Sequence, residues 1–178
     1  MSERNWLDDF NPAIGNYWGF QGRNVVFVGG NSDLALPLAQ ACAKMGANIA
    51  ILSRTAAKLE TTKEAISPHV GNGKLIAHTC DVTSSQSLQI ARDFVGDEFE
   101  SADTVFFFAG HINPDANATG GRHPEDVDAD ALPGQFGPDY FGAIRTMSIL
   151  CPLIAKSDGE FGPSVVFTDS IALSLIHI

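Results

Sequence analysis

The feature that most constrains the fold of this chain is a short apolar run that ends in two glycines. Residues 25–28 read Val-Val-Phe-Val and lead directly into Gly29 and Gly30. A continuous apolar run of this length is typical of a strand that is buried on both faces of a parallel sheet. Asn31 and Ser32 can then cap a helix whose apolar residues recur at helical spacing up to Gly46. The segment therefore predicts a strand, a glycine turn and a helix.

The same alternation continues along the chain. Apolar runs over 48–52, 74–79, 104–108 and 164–168 predict four more strands, and the patterns over 55–66, 85–99 and 140–155 predict helices between them. Strands that alternate with helices imply βαβ crossovers and a parallel sheet. We therefore predict an α/β fold, a doubly wound parallel sheet of about five strands with helices on both faces.

One long connection interrupts this pattern. Residues 110–138 are rich in Gly, Pro, Asp and Asn, which is the composition of a loop. Loops of this length in compact domains are usually functional. We expect this one to lie over the carboxyl ends of the strands, where open α/β sheets bind ligands.

Composition and charge exclude several classes of protein. The chain has 178 residues, enough for one ordinary domain, and its 44% hydrophobic and 18% charged residues fit a globular protein rather than a disordered one. The formal net charge is −10, which disfavours nucleic acid and anionic membrane surfaces as partners. No run approaches the ~20 apolar residues of a membrane span. We expect neither a nucleic acid nor a membrane partner.

Cysteine and histidine usage gives no sign of a metal. Cys42, Cys80 and Cys151 are far apart and form no CxxC pair, so neither a disulfide framework nor a zinc site is expected. The long loop holds His111 and several carboxylates, but no fixed ligand spacing. Free cysteines favour a reducing compartment, and we expect a cytoplasmic protein without a metal centre.

The glycine turn can bind phosphate. Unpaired backbone N–H groups and the dipole of the following helix both favour an anion at such a place. A turn of this kind can equally be structural, and the residues alone leave both interpretations open.

Several motifs, taken in order, resemble the short-chain dehydrogenase/reductase family. Residues 28–35 resemble its TGxxxGxG turn, with Gly29 on the first glycine and Asp33 and Ala35 on the other two. Asp81 and Val82 resemble the family's Asp-Val pair, which contacts the adenine ring. Further matches are an acid, Asp103, before the fourth strand, and Ala109-Gly110, which end an Asn-Asn-Ala-Gly motif whose two asparagines are replaced by Phe107 and Phe108.

The resemblance implies a Rossmann-like NAD(P)-binding domain over residues 23–172. Its implied cofactor-binding residues are Gly29, Asn31, Ser32, Asp33, Leu34, Ser53, Arg54, Asp81, Val82, Ala109 and Gly110. Cofactor choice is set after the second strand, where an acid would bind the ribose 2′-hydroxyl of NAD and a cation the 2′-phosphate of NADP. Ser53 and Arg54 stand there without an acid, so we expect NADP rather than NAD. The alternative is that Arg54 only caps carbonyls or lies in solvent.

The resemblance also implies catalytic positions. Asp139 aligns with the asparagine of the family's Asn-x-x-Gly, and Ser170 aligns with the serine that polarises the substrate carbonyl. The family's proton donor is a tyrosine followed four residues later by lysine. Neither Tyr17 nor Tyr140 has that lysine, so we expect the chain as written to be inactive. A noncatalytic NAD(P)-binding protein on the same fold is the alternative.

For the family as a whole, the implied reaction is hydride transfer between NADP(H) and a carbonyl or secondary alcohol of a small-molecule substrate. Residues 110–116 resemble the Gly-Gly-Asn-His-Pro-Asp-Ala stretch of the mannonate/fructuronate oxidoreductases, which suggests a sugar acid. The resemblance also implies that a full-length form is a homo-oligomer.

The two ends of the chain carry no family motif. Residues 1–22 are rich in aromatics, Asn and Gly without a period, and are expected to form a lead-in segment. Residues 173–178 resemble the translation of a transposon-end sequencing adapter, so we expect native sequence to end near Ala172.

Overall fold

The chain forms a βαβ series in the predicted order. The computed structural model describes residues 19–110, 130, 134, 136–157 and 162–168. The strands are β1 (Asn24–Val28), β2 (Asn48–Ser53), β3 (Leu75–Thr79), β4 (Thr104–Phe107) and β5 (Ser164–Phe167). The helices are α1 (Ala35–Lys44), α2 (Ala56–Ile66), α3 (Ser85–Phe99) and α4 (Gly142–Ile154), with a 3₁₀ turn at Ser67–His69 and a π-helical turn at Gly137–Phe141.

All five strands are parallel and hydrogen-bond in the order β3-β2-β1-β4-β5. Val26 of β1 pairs with Ala50 of β2 on one side and with Val105 of β4 on the other. The strand order reverses between β1 and β4, which opens a crevice at their carboxyl ends. The predicted fold class is therefore confirmed, and it places the glycine turn at the reversal.

Alternate side chains of β1 enter two separate cores. Val25 and Phe27 pack with α1 and α2 on one face of the sheet, and Val26 and Val28 pack with α3 and α4 on the other. All four side chains are fully buried. The continuous apolar run is thus explained by helices on both faces rather than by strand propensity alone.

Several boundaries differ from the prediction by one residue, and the helix near Tyr140 differs by more. The helix expected from Tyr140 begins earlier, at Gly137, as a π-helical turn that passes into α4. The third strand begins at Leu75 instead of Lys74, because the amide of Lys74 donates to the side chain of Asn48. Most of the long loop, the lead-in up to residue 18 and the proposed tail lie outside the described residues.

A row of polar side chains joins the strands at their amino ends. The backbone amide of Asn24 donates to Oδ2 of Asp103 at 2.7 Å, and the side-chain amide of Asn48 donates to Oδ1 of Asn24 at 2.9 Å. Ser157, just after α4, donates to the other oxygen of Asp103. We call Asn24, Asn48, Asp103 and Ser157 the amino-end belt. It fixes three neighbouring strands and α4 at the edge of the sheet opposite the glycine turn.

At the carboxyl edge, the fold depends on the absence of a side chain at Gly29. Its φ is +78°, in the left-handed region, and a Cβ atom built there would lie 2.4 Å from the backbone nitrogen of Ala109. Backbone cannot move aside as a side-chain tip can. The segment after β1 and the segment after β4 can therefore meet only if residue 29 is glycine.

We predict that Gly29→Ala lowers the free energy of unfolding by more than about 3 kcal/mol, because the left-handed φ alone costs about 1 to 2 kcal/mol and the clash with Ala109 adds to it. Gly22→Ala is the matched control: Gly22 has a φ of +72° with nothing within 4 Å of the added Cβ. It should lose only about 1 kcal/mol. Urea unfolding followed by circular dichroism measures both. Equal losses would show that the approach to Ala109 is unimportant.

Candidate functional site: a pocket at the strand reversal

A pocket of about 380 Å³ lies at the carboxyl ends of the strands, beside the reversal between β1 and β4. Its wall is contributed by the segments that follow β1, β2, β3 and β4, together with the π-helical turn. The lining residues are Gly29, Asn31, Ser32, Asp33, Ser53, Arg54, Thr55, Lys58, Cys80, Val82, Phe108, Ala109, Gly110 and Pro138.

Nine of the predicted cofactor-binding residues meet in this wall. Two do not: Leu34 and Asp81 flank the pocket without lining it. Sequence reasoning missed five lining residues, namely Thr55, Lys58, Cys80, Phe108 and Pro138. For Lys58 a signal was available, because it stands in the first turn of a helix, four residues after Arg54.

The turn after β1 presents amide groups to the pocket. Ser32 is the cap of α1, since its Oγ accepts from the amide of Ala35 at 3.1 Å and its carbonyl accepts from Leu36. Asn31 does not cap the helix as predicted; its Oδ1 accepts a 2.5 Å hydrogen bond from Oγ of Ser53. Within the described residues, the amides of Asp33 and Leu34 have no hydrogen-bond partner. These amides are suited to bind an anion.

A second cationic region lies where β2 ends. Arg54 and Lys58 both line the pocket, and the N-terminus of α2 lies between them. The cap residue of α2, Thr55, makes no side-chain cap bond, and the first turn of this helix contains no acid. Two positive side chains and an uncapped helix N-terminus all favour an anion here.

Asp81 is held ionised beside this region. Burial raises the pKa of its carboxyl, but hydrogen bonds from the Thr83 hydroxyl and amide, with the nearby Arg54 guanidinium, outweigh burial and lower the pKa below its usual value. Thr83 makes both bonds to the same oxygen, Oδ1, at 2.7 and 2.9 Å. The bonded loop thus holds Asp81 as an acceptor at the pocket rim.

Cys42 and Cys80 are thiols rather than thiolates. Burial raises the pKa of Cys80 to about 11, with a further increase from the Asp81 charge, and burial raises the pKa of Cys42 to about 12. All three cysteines are free. Cys80 therefore gives the pocket a neutral wall and not a nucleophile.

The far end of the pocket carries the second candidate catalytic position. Asp139 lies in the π-helical turn, and its Oδ1 is 3.4 Å from the position a Cβ would occupy at Gly110. Gly142, one turn later, lies so close that an added Cβ would be 2.8 Å from Cγ2 of Val82. The two glycines let α4 approach the ends of β3 and β4, and this approach places the Asp139 carboxylate beside the pocket.

At the end of β4, Phe107 and Phe108 stand where the family motif has two asparagine side chains. The ring of Phe108 stacks with those of Phe27 and Phe106 at centroid distances of 6.4 and 6.2 Å. Phe107 is buried on the opposite face, against Phe167 of β5. Packing of rings, rather than hydrogen bonding by asparagine, therefore fixes this strand end.

Two further predictions concern residues outside the described part of the chain. Ser170 and the loop residues 111–129 lie outside them, so their placement over the strands stays a prediction. Within the described part of the chain, no three His, Cys, Asp or Glu side chains are grouped as metal ligands would be, and no helix has the length and apolar character needed to cross a bilayer.

Comparison with known proteins agrees with this geometry. A sequence model of the short chain dehydrogenase family matches residues 23–173, most of the chain. The chain belongs to the short chain dehydrogenase family. Over 159 residues it is 26% identical to an uncharacterized oxidoreductase, UxuB, of Bacillus subtilis (strain 168), an alignment covering 85% of this chain and 55% of that protein. The predicted resemblance is thus confirmed, and members of this family are oxidoreductases.

Solved structures share the fold. A short-chain dehydrogenase/reductase from Mycobacterium ulcerans superposes with a TM-score of 0.73 at 22% identity, covering 88% of this chain and 54% of that one. A protein from Haemophilus influenza designated a D-mannonate oxidoreductase, solved with bound NAD, gives 0.72 at 19% identity, covering 86% and 57%. The chain spans about half the length of these relatives.

The pocket fits a dinucleotide of the kind this family binds. The free amides after β1 and the cations at α2 lie at two separated places, as the pyrophosphate and the adenosine ribose of a dinucleotide require. Because Gly29 has no side chain, no Cβ atom projects toward Ala109 at this end of the crevice. The amides and the cations are therefore the groups that could hold the phosphates of such a ligand.

We predict that Thr83→Val raises the pKa of Asp81, because it removes the hydroxyl donor and leaves only the amide. A group whose pKa is lowered by folding stabilises the protein above its unfolded-state pKa and loses that contribution as pH falls, so the variant should lose less stability on acidification. Carboxyl ¹³C NMR titration measures the pKa directly. Thr61→Val, which removes an exposed hydroxyl bonded to Ala57 on α2, is the control and should leave Asp81 unchanged.

Proposed function

We propose that this chain is the NADP(H)-binding part, residues 23–172, of a short-chain oxidoreductase that transfers hydride between NADP(H) and a carbonyl or secondary alcohol. The observation that carries the cofactor choice is the pairing of Arg54 and Lys58 in the pocket wall with no acid in the first turn of α2. A 2′-phosphate would neutralise these cations. A bare 2′-hydroxyl would offer them no negative charge and would find no carboxylate in the first turn of α2 to accept its hydrogen bond.

Each part of the pocket then has a role toward the cofactor. The amides of Asp33 and Leu34 bind the pyrophosphate. Asp81 uses Oδ2, the oxygen not bonded to Thr83, to accept from the adenine amino group. Cys80 and Val82 give the adenine a neutral, largely apolar wall. The nicotinamide, when bound, supplies or accepts the hydride.

The hydrogen bond between Ser53 and Asn31 connects the two phosphate-binding regions. Ser53 is buried, so its hydroxyl donates its hydrogen bond to Asn31 and not to water. The end of β2, which carries Arg54, is therefore fixed relative to the turn that binds the pyrophosphate. This connection lets the pocket distinguish two cofactors that differ only at one ribose oxygen.

The substrate class is proposed from the resemblance of residues 110–116 to mannonate/fructuronate oxidoreductases. One structure with the same fold, at 19% identity, is designated a D-mannonate oxidoreductase, which supports this class. We therefore propose a sugar acid as the small-molecule substrate. Free cysteines throughout the chain support a reducing, cytoplasmic compartment.

For catalysis we propose Ser170 as the group that polarises the substrate carbonyl and Asp139 as a positioning residue beside it. The proton donor is not identified in this sequence, since neither tyrosine is followed four residues later by lysine. We expect the 178-residue chain to bind cofactor without turnover.

A noncatalytic NAD(P)-binding protein is a second candidate, favoured by the ring stack at Phe108 and the carboxylate of Asp139, where the family has amides. Assay of a longer native reading frame with sugar acids and NADPH separates the two. Turnover supports the oxidoreductase, and tight NADPH binding without turnover in the extended protein supports the noncatalytic function.

We predict that wild-type protein binds NADPH more tightly than NADH, and that Arg54→Ala removes most of the difference. Loss of a charge-assisted phosphate contact should weaken NADPH binding by about 1.5 to 3 kcal/mol while leaving NADH binding nearly unchanged. Isothermal titration of both cofactors measures this preference. Lys58→Ala should show a smaller loss in the same direction.

Lys63→Ala provides the matched control, because Lys63 lies on the same helix but outside the pocket wall. It should leave both affinities unchanged. An equal preference for the two cofactors in wild type and in Arg54→Ala would contradict the NADP assignment.

A further inference from the structure

Asp33 is the feature of the pocket that opposes an anion. It stands in the turn between β1 and α1, lines the pocket and is exposed to solvent. Ser32, not Asp33, makes the cap bond to α1, so the Asp33 carboxylate is not used as a cap. In the described part of the chain no hydrogen bond or ion pair engages it. A free negative charge therefore lies beside the amides that would bind the cofactor pyrophosphate.

We propose that the exposed Asp33 carboxylate, which lies beside the N-terminus of α1 without bonding to its amides, repels the pyrophosphate of the dinucleotide there and so weakens its binding. The inference rests on the proposed cofactor function and adds to it a residue that sets affinity. It assigns Asp33 two opposite effects: the residue stabilises the unliganded protein and weakens the complex.

The stabilising effect follows from the helix. The N-terminus of α1 carries partial positive charge, and a carboxylate within its first turn is favourable. α1 itself supplies no acid in its first turn, so Asp33 is the nearest negative charge before it. Removing that charge should lower the stability of the free protein.

The opposing effect follows from the location of the cations. Arg54 and Lys58 lie at the N-terminus of α2, where they face the ribose end of the ligand. At the α1 end, Asp33 is the charged residue of the pocket wall. The two negative charges of the pyrophosphate would lie near the Asp33 carboxylate, which repels them. In the pocket wall at this end, only backbone amides attract the pyrophosphate.

The experiment compares wild type with Asp33→Asn by titration with NADPH and by thermal unfolding without ligand. We expect Asp33→Asn to bind NADPH about fivefold more tightly, since it relieves an exposed repulsion with two phosphate charges. We expect its apo melting temperature to fall by about 1 to 4 °C, from the lost interaction with the helix. Asp33→Ser, which is neutral and keeps a residue suited to a helix start, should show the same tightening if Asp33→Asn fails to fold.

Asp97→Asn is the matched control for net charge. Asp97 is exposed, near the C-terminal end of α3, and that end points to the edge of the sheet away from the pocket. It should neither tighten NADPH binding nor lower the melting temperature. A salt series adds a second readout: higher ionic strength screens the repulsion, so the ratio of wild-type to Asp33→Asn dissociation constants should fall toward one.

The outcomes separate this inference from the proposed function. If wild type binds NADPH and neither Asp33 variant binds more tightly, the repulsion is overturned while the cofactor function stands. If no protein binds NADPH or NADH, the proposed function fails and the repulsion fails with it. An apo melting temperature unchanged by Asp33→Asn would overturn the stabilising effect of the Asp33 charge on α1.

Discussion

The contact between the backbone after β1 and the backbone after β4 is the constraint on which the pocket depends. At this point the strand order reverses, so two chain segments leave neighbouring strands in opposite directions around the same crevice. They can lie side by side only because Gly29 has no side chain and accepts a positive φ. Everything that lines the pocket is arranged around this approach.

Charge in the pocket is distributed unevenly. Positive side chains gather at the N-terminus of α2, where Arg54 and Lys58 lie, and the turn before α1 has only amides and the carboxylate of Asp33. After β3, on the far side of β2 from the α1 turn, Asp81 is kept ionised by Thr83 and Arg54. An anionic ligand that spans the pocket is therefore attracted by side-chain charge mainly at the N-terminus of α2.

The sequence allowed the fold to be predicted where local signals and burial agree. Helix α3 has the bounds expected, Ser85–Phe99, because Ser84 caps it and apolar residues recur at helical spacing between two strong strand signals. The run 25–28 indicated a central strand because only a strand covered on both faces needs four consecutive apolar residues. Those signals are local, so one sequence is enough to find them.

Other features could not be read from local pattern. The π-helical turn at Gly137–Phe141 depends on how α4 packs against Val82, a residue far away in the chain. The use of Ser32 rather than Asn31 as the cap depends on the hydroxyl of Ser53, which engages Asn31 from another strand. Cys80 enters the pocket wall through the position of β3 beside β2. Each of these outcomes is decided by a tertiary contact.

The amino-end belt has a consequence for how this domain can change. Asn24, Asn48 and Asp103 fix strand positions by hydrogen bonds at the edge of the sheet remote from the pocket. Strand alignment is thus anchored at this edge in addition to the bonds at the carboxyl edge, such as that between Ser53 and Asn31. Side chains near the carboxyl edge that do not make the Gly29 contact, such as Phe108 and Asp33, can therefore change while the amino ends of the strands stay aligned. Ligand contacts at the carboxyl edge can therefore change while the hydrogen bonds at the amino edge keep the strands in place.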